Sequence, residues 1–290
     1  MKTYHIITNP VAGKKTALKN LATVEKILKT NGVNYQVHTS KAVGDATNIA
    51  KTLTANGENE LIVLGGDGTL HEVINGFKNF ENVSLGILPL GTGNDFATAL
   101  NLPLDPIKAL DVILNGMPVY TDFMQMPGVR GLNVIGMGMD VEVLKKYEKL
   151  KKKTKFGYTK CLLKTLLKYD CVNFTTEING DKKDYHSFIA CVANGHCFGG
   201  GISICPMAKA SDNYLDFVSV DKVNKFVIIK LLIKLMKKKI HTTKQYYHET
   251  VKTIKIIPED KDYTINVDGE LYENVPFEIE IVSDKLKIYR

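Results

Sequence analysis

The spacing of apolar residues divides the chain into two textures. Through residue 122, short apolar runs alternate with stripes of period three to four. Tyr4–Thr8 reads as a strand, and Ala17, Leu18, Leu21, Val24 and Leu28 mark a helix stopped by Asn31-Gly32. Val33–His38 is a second strand. Ala46, Ile49, Ala50 and Leu53 mark a second helix, stopped by Asn56-Gly57. A buried strand at Leu61–Leu64, a helix over about Thr69–Phe77 and a strand at Ser84–Leu88 follow. Short helices flank Pro103, and Val119–Phe123 is a further strand. Alternation of this kind predicts an open, mostly parallel α/β sheet of Rossmann type, residues 1–122.

Beyond Phe123 the period becomes two. Val172, Phe174, Thr176 and Ile178 alternate, Asn179-Gly180 reads as a hairpin turn, and Tyr185–Ala193 as the returning strand. Further strands are expected at Leu215–Val220, Val251–Ile257, Tyr263–Val267, Phe277–Ile281 and Leu286–Tyr289. Residues 123–290 therefore read as a β-rich, antiparallel second domain carrying one or two basic amphipathic helices. A cleft between the two domains is the expected place for a site.

Composition narrows the class. A chain of 290 residues suits two domains, and 24% charged residues with 44% hydrophobic ones excludes a disordered or fibrous protein. Apolar runs such as Leu61–Leu64 and Phe226–Ile229 are far shorter than a membrane span, and the chain enters a strand at Tyr4, so a cytoplasmic protein is expected. Cys161, Cys171, Cys191, Cys197 and Cys205 form no C-x-x-C pair and are odd in number, which fits reduced thiols.

The net charge of +7 is uneven. Residues 145–168 hold ten lysines and one acid, and residues 222–244 hold eight lysines and no acid. Lys160, Lys164 and Lys168 share one helix face beside Leu162, Leu163, Leu166 and Leu167. Lys230, Lys234 and Lys238 repeat the arrangement. The wide apolar arc of 222–240 reads as a core-packed helix with a solvated lysine face, whereas 145–168 is the candidate for an anionic membrane surface.

Three glycine-bearing loops follow predicted strands: Asn9-Pro10-Val11-Ala12-Gly13-Lys14, Gly65-Gly66-Asp67-Gly68-Thr69-Leu70, and Gly91-Thr92-Gly93-Asn94-Asp95-Phe96. Glycine lets backbone approach a ligand, and a helix start offers N–H groups to an anion. Neither a Walker A loop nor the dinucleotide fingerprint is present, since position 71 is His71. An acid inside such a loop makes sense if a divalent cation lies between carboxylate and phosphate.

These loops resemble the diacylglycerol kinase catalytic family, in its soluble bacterial lipid-kinase branch. The Gly-Gly-Asp-Gly loop also occurs in NAD kinases and phosphofructokinases, whose fold type is then implied, but Gly91–Ala97 separates this chain from them. The resemblance continues through Ala193-Asn194-Gly195, Gly199-Gly200-Gly201, Asp212–Asp216 and Val267-Asp268-Gly269-Glu270, with a C-terminal antiparallel β-sandwich implied.

The resemblance implies ATP held by Asn9, Pro10, Val11, Ala12, Gly13, Lys14, Thr39, Gly66, Asp67, Gly68, Thr69, Leu70, His71, Glu72 and Thr92. It implies Mg²⁺ held by Asp67, Asp95 and Asp122, the last closing a strand. A second, structural Mg²⁺ site is implied at Lys209, Asp212 and Tyr214, with Asn213 where relatives carry Gly. Glu270 is implied as the general base. His71, where relatives often carry Asn, reads as helix surface, while Asp216 either supports the second ion or ends a turn. The implied function is an ATP- and Mg²⁺-dependent lipid kinase, most simply making phosphatidic acid from diacylglycerol. Another lipid alcohol such as phosphatidylglycerol or a sphingoid base, NAD, or a non-catalytic membrane-recruited binding role are the alternatives. Peripheral attachment to the inner face of the membrane and a homodimer are expected, and nucleic acid is not an expected partner.

Overall fold

The computed structural model describes residues 2–10, 16–55, 59–151, 154–166 and 168–290. They fall into two units: Met1–Asp122 with Ser283–Arg290, and Phe123–Val282.

In the first unit β1 (Thr3–Thr8), α1 (Ala17–Thr30), β2 (Asn34–Thr39), α2 (Asp45–Thr54), β3 (Glu60–Gly65), α3 (Asp67–Gly76), β4 (Ser84–Pro89), α4 (Asp95–Ala99) and α5 (Pro106–Asn115) follow in order. β1 pairs in parallel with both β2 and β3, and β3 with β4. Lys287 and Ile288 pair in parallel with Ser84 and Leu85, so the last eight residues group with this unit. Strand order thus reverses between β2 and β3 on either side of β1, the arrangement that opens a crevice at the carboxyl edge.

The core follows from the pleat. Ile6, Ile62, Leu64 and Leu88 pack with Leu21, Val24 and Leu28 of α1 and Leu110 and Ile113 of α5. Burying each such side chain stabilises by about 1.5–3 kcal/mol. Ile7, Leu61 and Val63 alternate with them and are equally buried. Gly86 admits α5, since a methyl there would lie 2.5 Å from Ile113 Cδ1. Asp105 caps α5 by accepting from the amides of Ile107 and Lys108, and Pro106 opens it.

β5 (Pro118–Met126) carries the chain into the second unit and turns into β6 (Val129–Gly131). There follow β7 (Val134–Gly138), α6 (Met139–Glu148), α7 (Lys155–Leu166), β8 (Val172–Ile178), β9 (Asp181–Ala193), β10 (Leu215–Asp221), α8 (Lys225–Met236), a 3₁₀ turn at Ile240–Thr242, β11 (Tyr246–Val251), β12 (Thr253–Pro258), β13 (Thr264–Val267), β14 (Glu270–Glu273) and β15 (Glu278–Tyr289). The pairings among β7 to β14, and that of β12 with β15, are antiparallel. The long β9 pairs β8 along its first half and lies between β7 and β10 along its second. The enclosed core gathers Met124, Ile135, Phe174, Val192, Phe217, Ile254, Ile265 and Phe277.

Several expected elements shift. The returning strand of the first hairpin begins at Asp181, because Asn179 and Gly180 both take positive φ (54° and 88°) and make a two-residue turn. β11 was not foreseen, and the run expected as Val251–Ile257 is β12, preceded by a bend at Lys252. The two last expected strands are one, β15, with Asp284 at φ 56° inside a polar Ser-Asp-Lys stretch that reads as a turn. The basic segment 145–168 spans two helices, α6 and α7; Lys152, Lys153, Leu167 and the Asn56-Gly57 stop lie outside the described residues. No helix among the described residues is long and apolar enough to cross a membrane.

Candidate active site

Because β1 to β4 run in parallel, the loops that follow them share one sheet edge. Asn9 and Pro10 follow β1, exposed Thr39 ends β2, Gly66 and Asp67 follow β3, and exposed Thr92 follows β4. Val11, Ala12, Gly13 and Lys14 lie outside the described residues.

The loops after β3 and β4 touch. The Leu90 amide donates to Gly65 O at 2.8 Å, and a methyl on Gly66 would lie 2.8 Å from Gly91 Cα. Asn94, in the left-handed region at φ 53°, holds its own loop: its Oδ1 accepts from Gly91 N at 2.7 Å and its Nδ2 donates to Gly91 O at 3.0 Å. Phe96 N donates to Asp67 Oδ1 at 3.4 Å. The decisive glycine is Gly93. A methyl there would stand 2.8 Å from Asp67 Oδ2 and 3.0 Å from Asp95 Oδ2, so the two carboxylates converge on a place only glycine leaves open. Asp95 is buried, and two converging carboxylates are a hard-oxygen donor set suited to Mg²⁺. Asp67 is also the first residue of α3, whose opening N–H groups favour a phosphate.

The neighbouring residues divide. Thr69 and Leu70 are buried, with Thr69 packed beneath Gly65, so only their backbone is free to serve a nucleotide. Glu72 Oε2 accepts from Ala46 N at 3.2 Å near the start of α2, and Thr47 Oγ1 donates to Glu72 O at 3.0 Å; this residue ties two helices together. His71 is not on the surface as expected: it is 4% exposed, beside Asn75 on α3, because this helix is buried on most sides. Asp122 is buried at 3% exposure and lies inside β5, which does not end there but continues to pair with β6.

In the second unit, β13 and β14 form a hairpin with Asp268 and Gly269 at φ 53° and 100°, and Glu270 opens β14 on the exposed side of that turn. Asp268 does the holding. Its carboxylate accepts from the backbone N–H of Leu132, and from Asn133 and Val134 at 2.9 Å each, while Gly269 N donates to Asn266 Oδ1 at 2.8 Å. Asp268→Ala should therefore cost on the order of 3 kcal/mol or more, since three amides lose a charged acceptor. Urea denaturation checks this, and a loss below about 0.5 kcal/mol would contradict it. Asn194 is likewise structural: its N donates to Asn133 O at 2.8 Å and its Nδ2 to Leu132 O at 2.7 Å.

Lys209, Asp212 and Tyr214 lie on the exposed loop before β10. Tyr214 N donates to Asp212 Oδ1 at 3.2 Å and Ser211 N to Lys209 O at 2.8 Å, with Asn213 at φ 65°, so Asn does adopt the left-handed turn. Carboxylate and carbonyl oxygens are again hard donors. Asp216 ends no turn: it sits on β10 next to the loop, with His248 Nε2 2.6 Å from its Oδ1 and near enough to Asp212 to feel its charge.

An apolar pocket in the same unit is walled by α6, α7, α8 and the sheet, through Tyr158, Leu162, Phe198, Leu231 and Leu235 among others. Gly199, at φ 61°, makes room for one wall: a methyl there would lie 2.4 Å from the Tyr158 ring. Among the described residues lining the pocket the charged one is Asp140, 3% exposed. Its Oδ2 accepts from Asn266 Nδ2 at 3.2 Å and its Oδ1 has no hydrogen-bond partner among the described residues. Burial pushes its carboxyl up to about 6, opposed by the Asn266 hydrogen bond. The folded state thus holds this proton more tightly than the unfolded chain, so stability falls as pH rises from about 4 and levels off above about 6. Between pH 5 and pH 8 the loss should be about 1–2 kcal/mol. Asp140→Asn should abolish that slope in urea melts; an unchanged slope would show the carboxyl is ionised throughout.

Comparison with known proteins follows this geometry. Residues 3–126 match the family model described as the diacylglycerol kinase catalytic domain, and residues 133–290 the one described as the YegS C-terminal NAD kinase beta sandwich-like domain. The diacylglycerol kinase of Bacillus subtilis (strain 168) is 30% identical over 96% of this chain and 93% of its own length. The chain belongs to the diacylglycerol kinase family. The diacylglycerol kinase of Staphylococcus saprophyticus is 31% identical over 95% of this chain and 91% of its own. A Bacillus anthracis (strain Sterne) protein, provisionally named a diacylglycerol kinase, has a crystal structure matching with TM-score 0.84 at 25% identity over 99% of this chain and 95% of its own. Membership makes the chain an ATP-using lipid kinase, and the α/β unit with Asp67 and Asp95 is its catalytic-domain part.

Sequence reasoning missed Gly93, Asp140, Asp268 and the Asp216–His248 pair. Asp268 had a signal, as the acid of a two-residue turn; the others depend on which distant residues meet.

Proposed function

We propose that the chain transfers the γ-phosphoryl group of ATP to a hydroxyl of diacylglycerol, with Mg²⁺, at a membrane surface. The observation that carries the phosphoryl-transfer half is the convergence of Asp67 and Asp95 on Gly93 at the ligand edge of the sheet. Asp67 and Asp95 would hold Mg²⁺, with buried Asp122 as the third acid of the family set. The ion, when bound, neutralises phosphate charge as it develops. The N–H groups opening α3 and the backbone of Gly66 and Gly68 orient the phosphates. Glu270 takes the proton of the acceptor hydroxyl. Asp212, with the carbonyls of Lys209 and Tyr214, would hold a second Mg²⁺ that steadies its loop.

The acceptor reading is supported by the family's own activity and by the apolar pocket, which suits an acyl chain. Asp140 gives that pocket one polar point, where its unpartnered oxygen can meet a hydroxyl or ester group. Purified chain given ATP and a panel of diacylglycerol, phosphatidylglycerol, a sphingoid base and NAD should release ADP fastest with diacylglycerol, and EDTA should stop it. Preference for NAD, or ADP release indifferent to acceptor, would overturn the reading.

Membrane docking has support on α7 and α8. Lys160, Lys164 and Lys230 are exposed, and so are Phe156 at 80%, Leu163, Ile229, Ile233 and Met236. Not every lysine is free for this: Lys146 Nζ donates to Thr165 Oγ1 at 2.9 Å and Lys234 Nζ to Thr242 Oγ1 at 2.9 Å. α8, expected to show only lysines outward, also shows apolar residues, because its apolar arc is wider than the core contact through Ile228 and Leu231. Such a mixed face suits anionic lipid. The chain should sediment with anionic vesicles and be released as salt rises, since exposed charge is screened within about 10 Å at 0.1 M. Sedimentation indifferent to both anionic lipid and salt would remove this part of the proposal.

A further inference from the structure

We infer that Cys205, Asp216 and His248 form a site for a zinc-class divalent ion in the second unit, separate from the family's Mg²⁺ positions. Sγ of Cys205, a carboxylate oxygen of Asp216 and a ring nitrogen of His248 all lie within 4.8 Å of one another.

Three separate segments supply them. In the β10–β11 ladder Val218 faces His248 and Asp216 faces Thr250, so Asp216 and His248 are diagonal neighbours on one face. Their side chains meet at 2.6 Å. Cys205 comes from the loop between β9 and β10 and is fully buried against the same face. A second sulfur is close by: Met207 Sδ lies 3.2 Å from Cys205 Sγ.

An imidazole–carboxylate pair by itself accounts for two of these groups. It gives no reason for a thiol in the hydrophobic packing of Ile204, Ala208 and Val218, or for the exposed Met207 thioether beside it. A thiol, an imidazole and a carboxylate are the ligand types that Zn²⁺ takes together in tetrahedral sites. The set is too soft for Mg²⁺ or Ca²⁺, which take oxygen. Three protein ligands leave a fourth position, for water or Met207. Asp216 and Cys205 are buried whereas the His248 side chain is 28% exposed, so the ion has a way in past the imidazole. A bound ion would replace the direct His248–Asp216 contact and clamp the start of the 205–214 loop to the sheet.

Co²⁺ titration of the full chain, stripped of metal by chelation, tests this. In excess Mg²⁺, which occupies the oxygen sites, expected is one Co²⁺ per chain with a thiolate-to-cobalt charge-transfer band and tetrahedral visible bands, displaced by Zn²⁺. Cys205→Ser should lose the charge-transfer band. His248→Asn, at a partly exposed position that tolerates change, should bind Co²⁺ more weakly by at least about 10–100-fold, the range seen for second-sphere changes alone. Cys171→Ser, a half-buried thiol elsewhere, should keep the band. Absence of the band in the wild type, its survival in Cys205→Ser, wild-type affinity in His248→Asn, or its loss in Cys171→Ser would each overturn the site.

Discussion

Asp67→Ala is expected to lower lipid phosphorylation by about 10²–10³-fold while leaving the melting temperature near that of the wild type. The side chain is half-buried at the first position of α3 and accepts a long 3.4 Å bond from Phe96 N. What it does supply is one of two carboxylates converging on Gly93. Gly93→Ala offers an independent approach to the same place. It leaves both acids in the sequence yet puts a methyl 2.8 Å and 3.0 Å from their oxygens, so it should also lose activity, with Mg²⁺ demand raised. Turnover against Mg²⁺ concentration, beside melting curves, checks both. A folded Asp67→Ala protein with near wild-type turnover would remove the metal role from these residues.

Glu270→Gln should cost about 10²–10⁴ in turnover, the range for a lost general base, while ATP binding and melting stay unchanged. The hairpin explains the separation. Its turn is held by Asp268 and Asn266, and the amide variant of the neighbouring Glu270 keeps the same size. Asp212→Ala should behave in the opposite manner. It should leave the reacting groups in place, melt earlier and lose the response of thermal stability to Mg²⁺, because an ion bound only to the folded state stabilises it. Early melting of Glu270→Gln, with Asp212→Ala stable and slow, would reverse the two roles.

The α/β half is legible because β1, β3 and β4 are apolar runs and α1 and α2 carry stripes, and the loops at its edge carry glycine where backbone must come close. The hairpins at Asn179-Gly180 and Asp268-Gly269 were legible because only a few residue pairs take positive φ in succession. What escaped is tertiary. Gly93 reads as one more loop glycine until the loop after β3 is seen to lean on it. Asp140 reads as an acid in the first turn of a helix, and only the surrounding side chains bury it. His71 lies on a helix packed on most sides, which a single stripe does not announce. β15 reads as two strands because Ser283-Asp284-Lys285 is polar at the point where the chain returns to the first unit. Cys205 and His248 stand 43 residues apart in sequence, and only the fold of the loop before β10 onto the β10–β11 ladder places one near the other.

The most direct test of the account is the fate of the γ-phosphate. Full-length chain, γ-labelled ATP, Mg²⁺ and anionic vesicles containing diacylglycerol should yield labelled phosphatidic acid with the wild type and almost none with Asp67→Ala. Label remaining in ATP, passing to inorganic phosphate, or reaching phosphatidic acid equally fast with both proteins would contradict it.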